Sequence, residues 1–338
     1  MKVYYTSTFD SVDAAVGRLL DNFDWQKTLP KGQDVLLKVN LTWDYLRPGV
    51  NTSPWVVEAV CRRLKGYAGQ IYIGESSQVL VDASKALKVQ RMSEVLERQN
   101  VKWHNFSDNS WKNVTVNGLD FGIPEICTKM PVISLPVIKT HYRSVISVAM
   151  KHLYGCLNDG RHNYHHSLTD YIIAVNKAIP TAFILADGTV SLEGNGPKPG
   201  IPKQTDFLAL SKDPVAMDYS IAKVMGINPE NVDTIIKGNN LIGSYENTNE
   251  ICIKPLEQLP SFSFKEAEPN FVAKIEKKVR GNRKNKGSRD DGPFIGVMKA
   301  GAKRWYNLSY SIFGQKKEAK KWQNSLPYGP QWLGKSEI

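Results

Sequence analysis

Five of the six histidines fall inside one stretch, Val137 to Asp170, which reads VIKTHYRSVISVAMKHLYGCLNDGRHNYHHSLTD. They are His141, His152, His162, His165 and His166, with Lys139, Arg143, Lys151 and Arg161 among them. Amines, guanidinium groups and imidazoles at this density can hold an anion, move protons or ligate a metal. Arg161, His165 and His166 stand just before Ser167-x-x-Asp170, a capping pattern that opens a helix. Free N–H groups and the macrodipole at such an opening favour a carboxylate or phosphate. Lys151 and His152 follow the apolar run VISVAM. Neighbouring helical positions point about 100° apart, so only one of the two is expected to face the site. A lysine there can have a lowered pKa and serve as a base or covalent group, or it can snorkel to water. His162, His165 and His166 would share a face if their segment were helical, which would suit a divalent metal. The segment reads as loop, so anion binding is preferred. The metal-ligand candidates are His141, His162, His166 and Asp187.

These groups need elements to bring them together. In an open parallel sheet a ligand sits beyond the carboxyl ends of the strands. Four strand candidates end in suitable residues: Lys38 with Asn40, Glu75 with Ser76, Lys139 with Thr140 and His141, and Asp187. Asp187 is a general-base or metal-ligand candidate, or a cap for the turn at Gly188. Glu193, Gly194, Gly196 and Gly200 form a glycine- and proline-rich loop able to approach a ligand closely. No phosphate-binding loop, dinucleotide fingerprint or nucleophile elbow is encoded. Strands are expected at 2–7, 35–40, 70–77, 101–106, 114–121, 130–136, 181–188 and 206–211. Helices are expected from Ser11, from Ser53-Pro54 to about 65, over 82–98 and 144–154, from Ser167, and from Asp213 to 225. The alternation predicts an α/β fold, a mostly parallel sheet with helices on both faces, followed by a basic C-terminal extension.

The 338 residues carry a net charge of +11. Residues 272–322 hold 15 Lys+Arg and 4 Asp+Glu, a difference of +11, so the rest of the chain is near neutrality. The division expected is an α/β domain over 1–259 and an extension over 260–338, flexible at 281–292. The extension mixes aromatic residues with lysines. It reads first as a wrapping segment that packs apolar side chains on the core. An anionic membrane surface bound through 272–322 ranks second and nucleic acid last. Cysteines at 61, 127, 156 and 252 lack C-x-x-C spacing, so no iron–sulfur run is present and a reducing compartment is expected. With no apolar signal core and no apolar run near ~20 residues, the expected location is cytoplasmic, with peripheral membrane attachment as the variant.

Five blocks in order resemble one family: VLLKVNLT at 35–42, Thr52-x-Pro54, PVIKTHYRSVISVAMKHLYG at 136–155, ADGTVSLEGNGPKPG at 186–200 and KDPVAMDYSIAKVMG at 212–226. Together they resemble the domain-of-unknown-function 362 proteins over residues 34–226. The resemblance implies an α/β core and maps typical positions onto Lys38, Asn40, Lys139, His141, Lys151, Asp187, Glu193, Asp213 and Asp218. It assigns no chemistry. His152 stands where that family usually shows Asn, which implies a specialised substrate. Members with ferredoxin-type cysteine clusters look redox-linked, and this chain lacks such clusters. A looser resemblance links the chain to lactate racemases, which combine strand-end histidines and a lysine around a nickel cofactor.

The function expected is an enzyme acting on a small anionic metabolite by acid/base chemistry. Lys151, His152, Asp187 and His141 are the catalytic candidates. Lys38, Asn40, Lys139, Thr140, Arg161, His165, His166, Glu193 and Gly196 are the substrate-binding candidates. The alternatives are a metal-dependent or redox-linked enzyme, and a non-catalytic protein that docks on a membrane or a partner through the basic extension.

Overall fold

A computed structural model describes residues 1–78, 80–194, 200–267, 301, 304, 308, 310, 315–329 and 332, with only the backbone at 159, 160, 162 and 163. The strands are β1 (Lys2–Ser7), β2 (Val35–Lys38), β3 (Ile71–Glu75), β4 (Lys102–Asn105), β5 (Trp111–Val116), β6 (Leu119–Pro124), β7 (Val132–Ser134), β8 (Val137–His141), β9 (Val145–Ser147), β10 (Thr181–Glu193), β11 (Ile201–Ser211) and β12 (Asn249–Ile253). The helices are α1 (Val12–Phe23), α2 (Pro54–Leu64), α3 (Ala83–Val89), α4 (Met92–Gln99), α5 (Ala149–His152), α6 (Leu168–Ala178), α7 (Pro214–Val224), α8 (Asp233–Gly238) and α9 (Gln315–Ser325).

The main sheet has the order β12-β1-β11-β10-β7-β2-β3-β4, and β8 and β9 branch from β10. The β1–β11, β10–β11 and β8–β9 pairings are antiparallel and the others in this sheet are parallel. Alternate strand residues enter opposite layers, as the period of two requires. Leu36, Ile184 and Ala209 face α5–α8, whereas Leu37, Leu185 and Leu210 face α1–α4. The sheet is therefore apolar on both faces and covered by helices on both, as the sequence predicts.

Five local expectations change. The 144–154 run is not one helix. Ser144 and Val145 turn the chain into β9, which pairs with β8, and Val145 has φ 63°. Asp218 accepts from Ala149 N (2.6 Å) and Met150 N (3.2 Å), so the helix begins only there. The 82–98 helix breaks at Arg91, φ 59°. The strand expected to end at Asp187-Gly188 continues to Glu193, because β8 gives its second half a parallel neighbour. Residues 159–167 form a 3-10 stretch rather than a loop. Ser167 makes no side-chain cap bond at α6. The 281–292 stretch lies outside the described residues.

Near the C-terminus, α9 turns Ala319, Trp322, Gln323 and Leu326 towards the core and leaves Lys316, Lys317, Lys320 and Lys321 exposed. Tyr328 and Trp332 pack on Trp55 of α2, with ring centroids 5.0 and 4.5 Å away.

Candidate functional site

The floor of the site is set where β2, β3 and β7 end side by side. Lys38 is fully buried and donates to Val39 O (2.7 Å) and Glu75 Oε2 (2.9 Å). Glu75 also accepts from Leu41 N and Ser76 N, so its charge is met by one ammonium and two amides. His152 lies between Lys38 Nζ (3.4 Å from Nε2) and Ser134 Oγ (2.8 Å from Nδ1). Nε2 can meet the Lys38 ammonium only as an acceptor, while the ring also hydrogen-bonds to the Val39 backbone carbonyl. Burial and the charge of Lys38 hold His152 well below its ordinary pKa, which keeps it neutral.

The wall above is β8. Its alternation places Lys139 and His141 on one face and Thr140 on the other. Lys139, 1% exposed, donates to Asn40 Oδ1 (2.9 Å) and Val50 O (2.8 Å). Asn40 is fixed in turn by Thr52 Oγ1, which accepts from its backbone N–H. The turn that brings Val50 there passes through Gly49, φ 75°, where a Cβ would strike Ser191 O. His141 Nδ1 accepts from Arg143 N (3.1 Å) and Ser144 N (3.4 Å). That fixes the tautomer with its proton on Nε2. Burial, then the charges of Lys151, Lys139, His165 and Arg143, keep the ring well below its ordinary pKa.

Lys151 is half-buried, with Nζ 4.5 Å from the centroid of the Tyr154 ring. No hydrogen-bond acceptor is recorded for its amine among the described residues. Burial and the nearby Arg161 and Arg143 push its pKa down to about 8. Arg161 donates to Ser76 Oγ (2.7 Å) and Leu157 O (3.0 Å), and Tyr154 Oη donates to Arg161 O (2.6 Å). His165 stacks on Tyr154 at 5.9 Å between centroids. Lys139, His141, Arg143, Lys151, Arg161 and His165 therefore act on one another, over a floor of Lys38, Glu75, Asn40 and His152.

Other expected residues stand apart. Asp187 lies in mid-strand and is wholly buried. Its Oδ2 accepts from Ser53 N (2.9 Å), and its Oδ1 from Thr189 N (3.0 Å) and Thr189 Oγ1 (2.7 Å). Burial raises its pKa against those bonds. It ties the start of α2 to β10. Thr140 donates to Gly194 O, and Glu193 is paired with Lys203 at 2.9 Å. His166 is exposed. The His162 side chain and Gly196 lie outside the described residues. Among the described residues, no three His, Cys, Asp or Glu side chains converge in a way that could hold a metal. Ser134 and Tyr154 were not expected. Ser134 is the one polar residue inside the apolar run VISLP, a signal that was available in the sequence, while Tyr154 was hidden inside the expected helix.

The fold and this buried cationic cluster define a doubly covered α/β protein with polar groups gathered at the ends of β2, β3, β7 and β8. The chain belongs to the domain-of-unknown-function 362 family, whose model matches residues 35–223. It is 25% identical over 222 residues to a thylakoid-associated protein of Synechocystis sp. (strain ATCC 27184 / PCC 6803 / Kazusa), covering 60% of this chain and 66% of that one. Two solved structures match part of the chain. The lactate racemase apoprotein of Thermoanaerobacterium thermosaccharolyticum gives a TM-score of 0.37 at 16% identity over 56% of this chain and 51% of that one. A Thermotoga maritima protein gives 0.35 at 12% identity, over 57% and 53%. The chain thus spans about half the length of either structure.

Proposed function

We propose that the chain is an enzyme acting on a small carboxylate- or phosphate-bearing metabolite by proton transfer. The observation that carries this reading is the gathering of Lys151 with His141, Arg143 and Arg161. Lys151 is half-buried, with its amine 4.5 Å from the centroid of the Tyr154 ring, and burial and the two arginines push its pKa down to about 8. Such an amine is half of an acid/base pair near neutral pH. In this reading Lys151 takes the proton, and His141 Nε2–H with Lys139 and Arg161 holds the anion. Lys38 and His152 hold the base of the cluster in shape, and Asp187 serves the fold by tying α2 to β10. The test is a panel of carboxylates and phosphates screened for a rise in melting temperature. Lys151→Met and His141→Asn are expected to abolish the rise found with the native chain while the unliganded fold persists. A rise that survives both substitutions would sink the reading.

A second reading, peripheral attachment to an anionic membrane, is favoured by the four exposed lysines of α9. The name of the cyanobacterial relative points the same way. Among the described residues no helix is long and apolar enough to cross a membrane. Flotation on anionic vesicles tests attachment through these lysines.

A further inference from the structure

Arg47 lies in the loop between β2 and α2 and is 4% exposed. Its Nε donates to Gly200 O (2.8 Å), which fixes the plane of the guanidinium. Its Nη2 is 3.2 Å from Glu318 Oε2, in the first turn of α9. Its Nη1 has no hydrogen-bond partner among the described residues. A guanidinium N–H left bare in the interior is costly, so an acceptor is missing there. Gln315, three positions before Glu318 on the same face of α9, has a buried Oε1 that also lacks a partner among the described residues. The two unmatched groups therefore stand at one place, the N-terminal turn of α9. Tyr310 flanks it, with its Oη donating to Leu46 O (3.1 Å) and its ring 4.6 Å from that of Tyr45.

The charge around this turn is positive. First-turn N–H groups of an α-helix have no acceptor inside the helix, and the macrodipole adds a partial positive charge. Lys316 and Lys317 stand exposed in the same turn, at the helix end where cations are disfavoured. With Arg47 they make three cations against the one carboxylate of Glu318, because Asp44 of the Arg47 loop is already paired with Lys85 at 3.2 Å. The Glu318 side chain is 40% exposed, so it can swing out to water and leave Arg47 to another anion. An arginine beside a helix N-terminus suits phosphate oxygens, and the Gln315 amide can present either its oxygen or its NH2 to them. We propose that Arg47 and the N-terminal turn of α9 form a binding site for a phosphate group, whose place the Glu318 carboxylate holds in this structure. Phosphate oxygens would accept from Arg47 Nη1 and Nη2 and from the first-turn amides, with Lys316 and Lys317 at the mouth. The site shares no residue with the Lys151 cluster.

Titration calorimetry of the full chain with inorganic phosphate, at an ionic strength held constant with sodium chloride, tests the site. The Lys151→Met chain is titrated beside it and should keep the affinity, which separates this site from the proposed active site. Arg47→Gln should weaken binding at least about tenfold. Lys316→Gln with Lys317→Gln should weaken it several-fold, whereas Lys320→Gln with Lys321→Gln, one turn on, should change it less than about twofold. Glu318→Gln should tighten it, because the competing carboxylate is gone. Phosphatidylcholine vesicles carrying phosphatidic acid or phosphatidylserine, matched in charge, identify the source of the phosphate. An Arg47-dependent preference for phosphatidic acid assigns the site a lipid headgroup, and equal flotation with phosphate binding intact assigns it a soluble phosphate. The idea is overturned if phosphate does not bind, if Arg47→Gln binds as the native chain does, or if binding is lost in Lys151→Met. It is equally overturned if the two lysine pairs lose affinity alike, since diffuse charge would then suffice. The contrast between the lysine pairs, with Glu318→Gln, decides the matter even if Arg47→Gln fails to fold.

Discussion

Lys151 destabilises the fold that holds it. Its folded pKa of about 8 lies below the 10.5 of an ordinary lysine, because burial and two arginines oppose its charge. Between those values the unfolded chain binds more protons than the folded one, so stability rises with pH across that window. Below pH 8 the cost is present in full. Methionine has similar length and no charge. Lys151→Met should therefore raise stability at pH 7 by about 1–2 kcal/mol, after the lost contact with the Tyr154 ring is offset. The gain should disappear by pH 10.5. Urea unfolding at the two pH values measures both numbers, and a Met variant less stable than the native chain at pH 7 would show the amine to be favourably paired. Asp187 is also disfavoured as a charge by burial, which raises its pKa, but it has partners. Three donors from Ser53 and Thr189 point at its carboxylate. Asparagine would turn an amide donor towards one of them, so Asp187→Asn should cost about 2 kcal/mol in urea unfolding. Any ligand-induced rise in melting temperature should survive the change.

At the scale of elements, the Lys38–Glu75 pair links the ends of β2 and β3 in an interior that admits almost no water. Lys38→Met strands the Glu75 charge and should cost about 3–5 kcal/mol. Adding Glu75→Leu removes the stranded charge, so the double variant should be more stable than Lys38→Met alone in chemical unfolding. The sheet and its helices were legible because apolar strands and capped helices alternate along the chain. The cluster could be read for the same reason: Lys139 and His141 fall at the end of an apolar run, where a strand ends, although both prove to be buried. What escaped were features set by tertiary contact. Nothing in TAFILADG shows that β8 will pair with its continuation, so Asp187 read as a strand end rather than mid-strand. Nothing in SVISVAMKHLY shows that Asp218, some seventy positions on, supplies the cap that delays α5. Asp218 is itself pushed up to about 7 by burial, against the pull of the two amides it caps.

At the scale of the whole molecule, the described part of the basic extension packs its apolar residues on the core and leaves four lysines of α9 exposed. Tyr328 stacks on Trp55 and donates to Asp206 Oδ1 (2.9 Å), Glu318 pairs with Arg47 at 3.2 Å, and Trp332 packs edge-on against Trp55. Apolar groups of the extension are thus spent on the core, and Tyr328→Ala should cost on the order of 3 kcal/mol. Deleting the extension would uncover Trp55 and the apolar surface around it, and a vesicle could then bind that surface for reasons unrelated to the native chain. The informative change is to charge alone: Lys316, Lys317, Lys320 and Lys321 together replaced by Gln. These side chains are exposed, so melting temperature should hold within the small effects of surface substitutions. Near an anionic bilayer each lysine contributes about 1 kcal/mol, and the attraction is screened beyond about 10 Å at 0.1 M salt. Flotation with phosphatidylserine vesicles should fall at least tenfold in the fourfold variant, and should fall for the native chain as salt rises. Equal flotation of the two chains at low salt would leave α9 no part in membrane attachment, and its lysines would then serve only to keep a core-packed helix soluble.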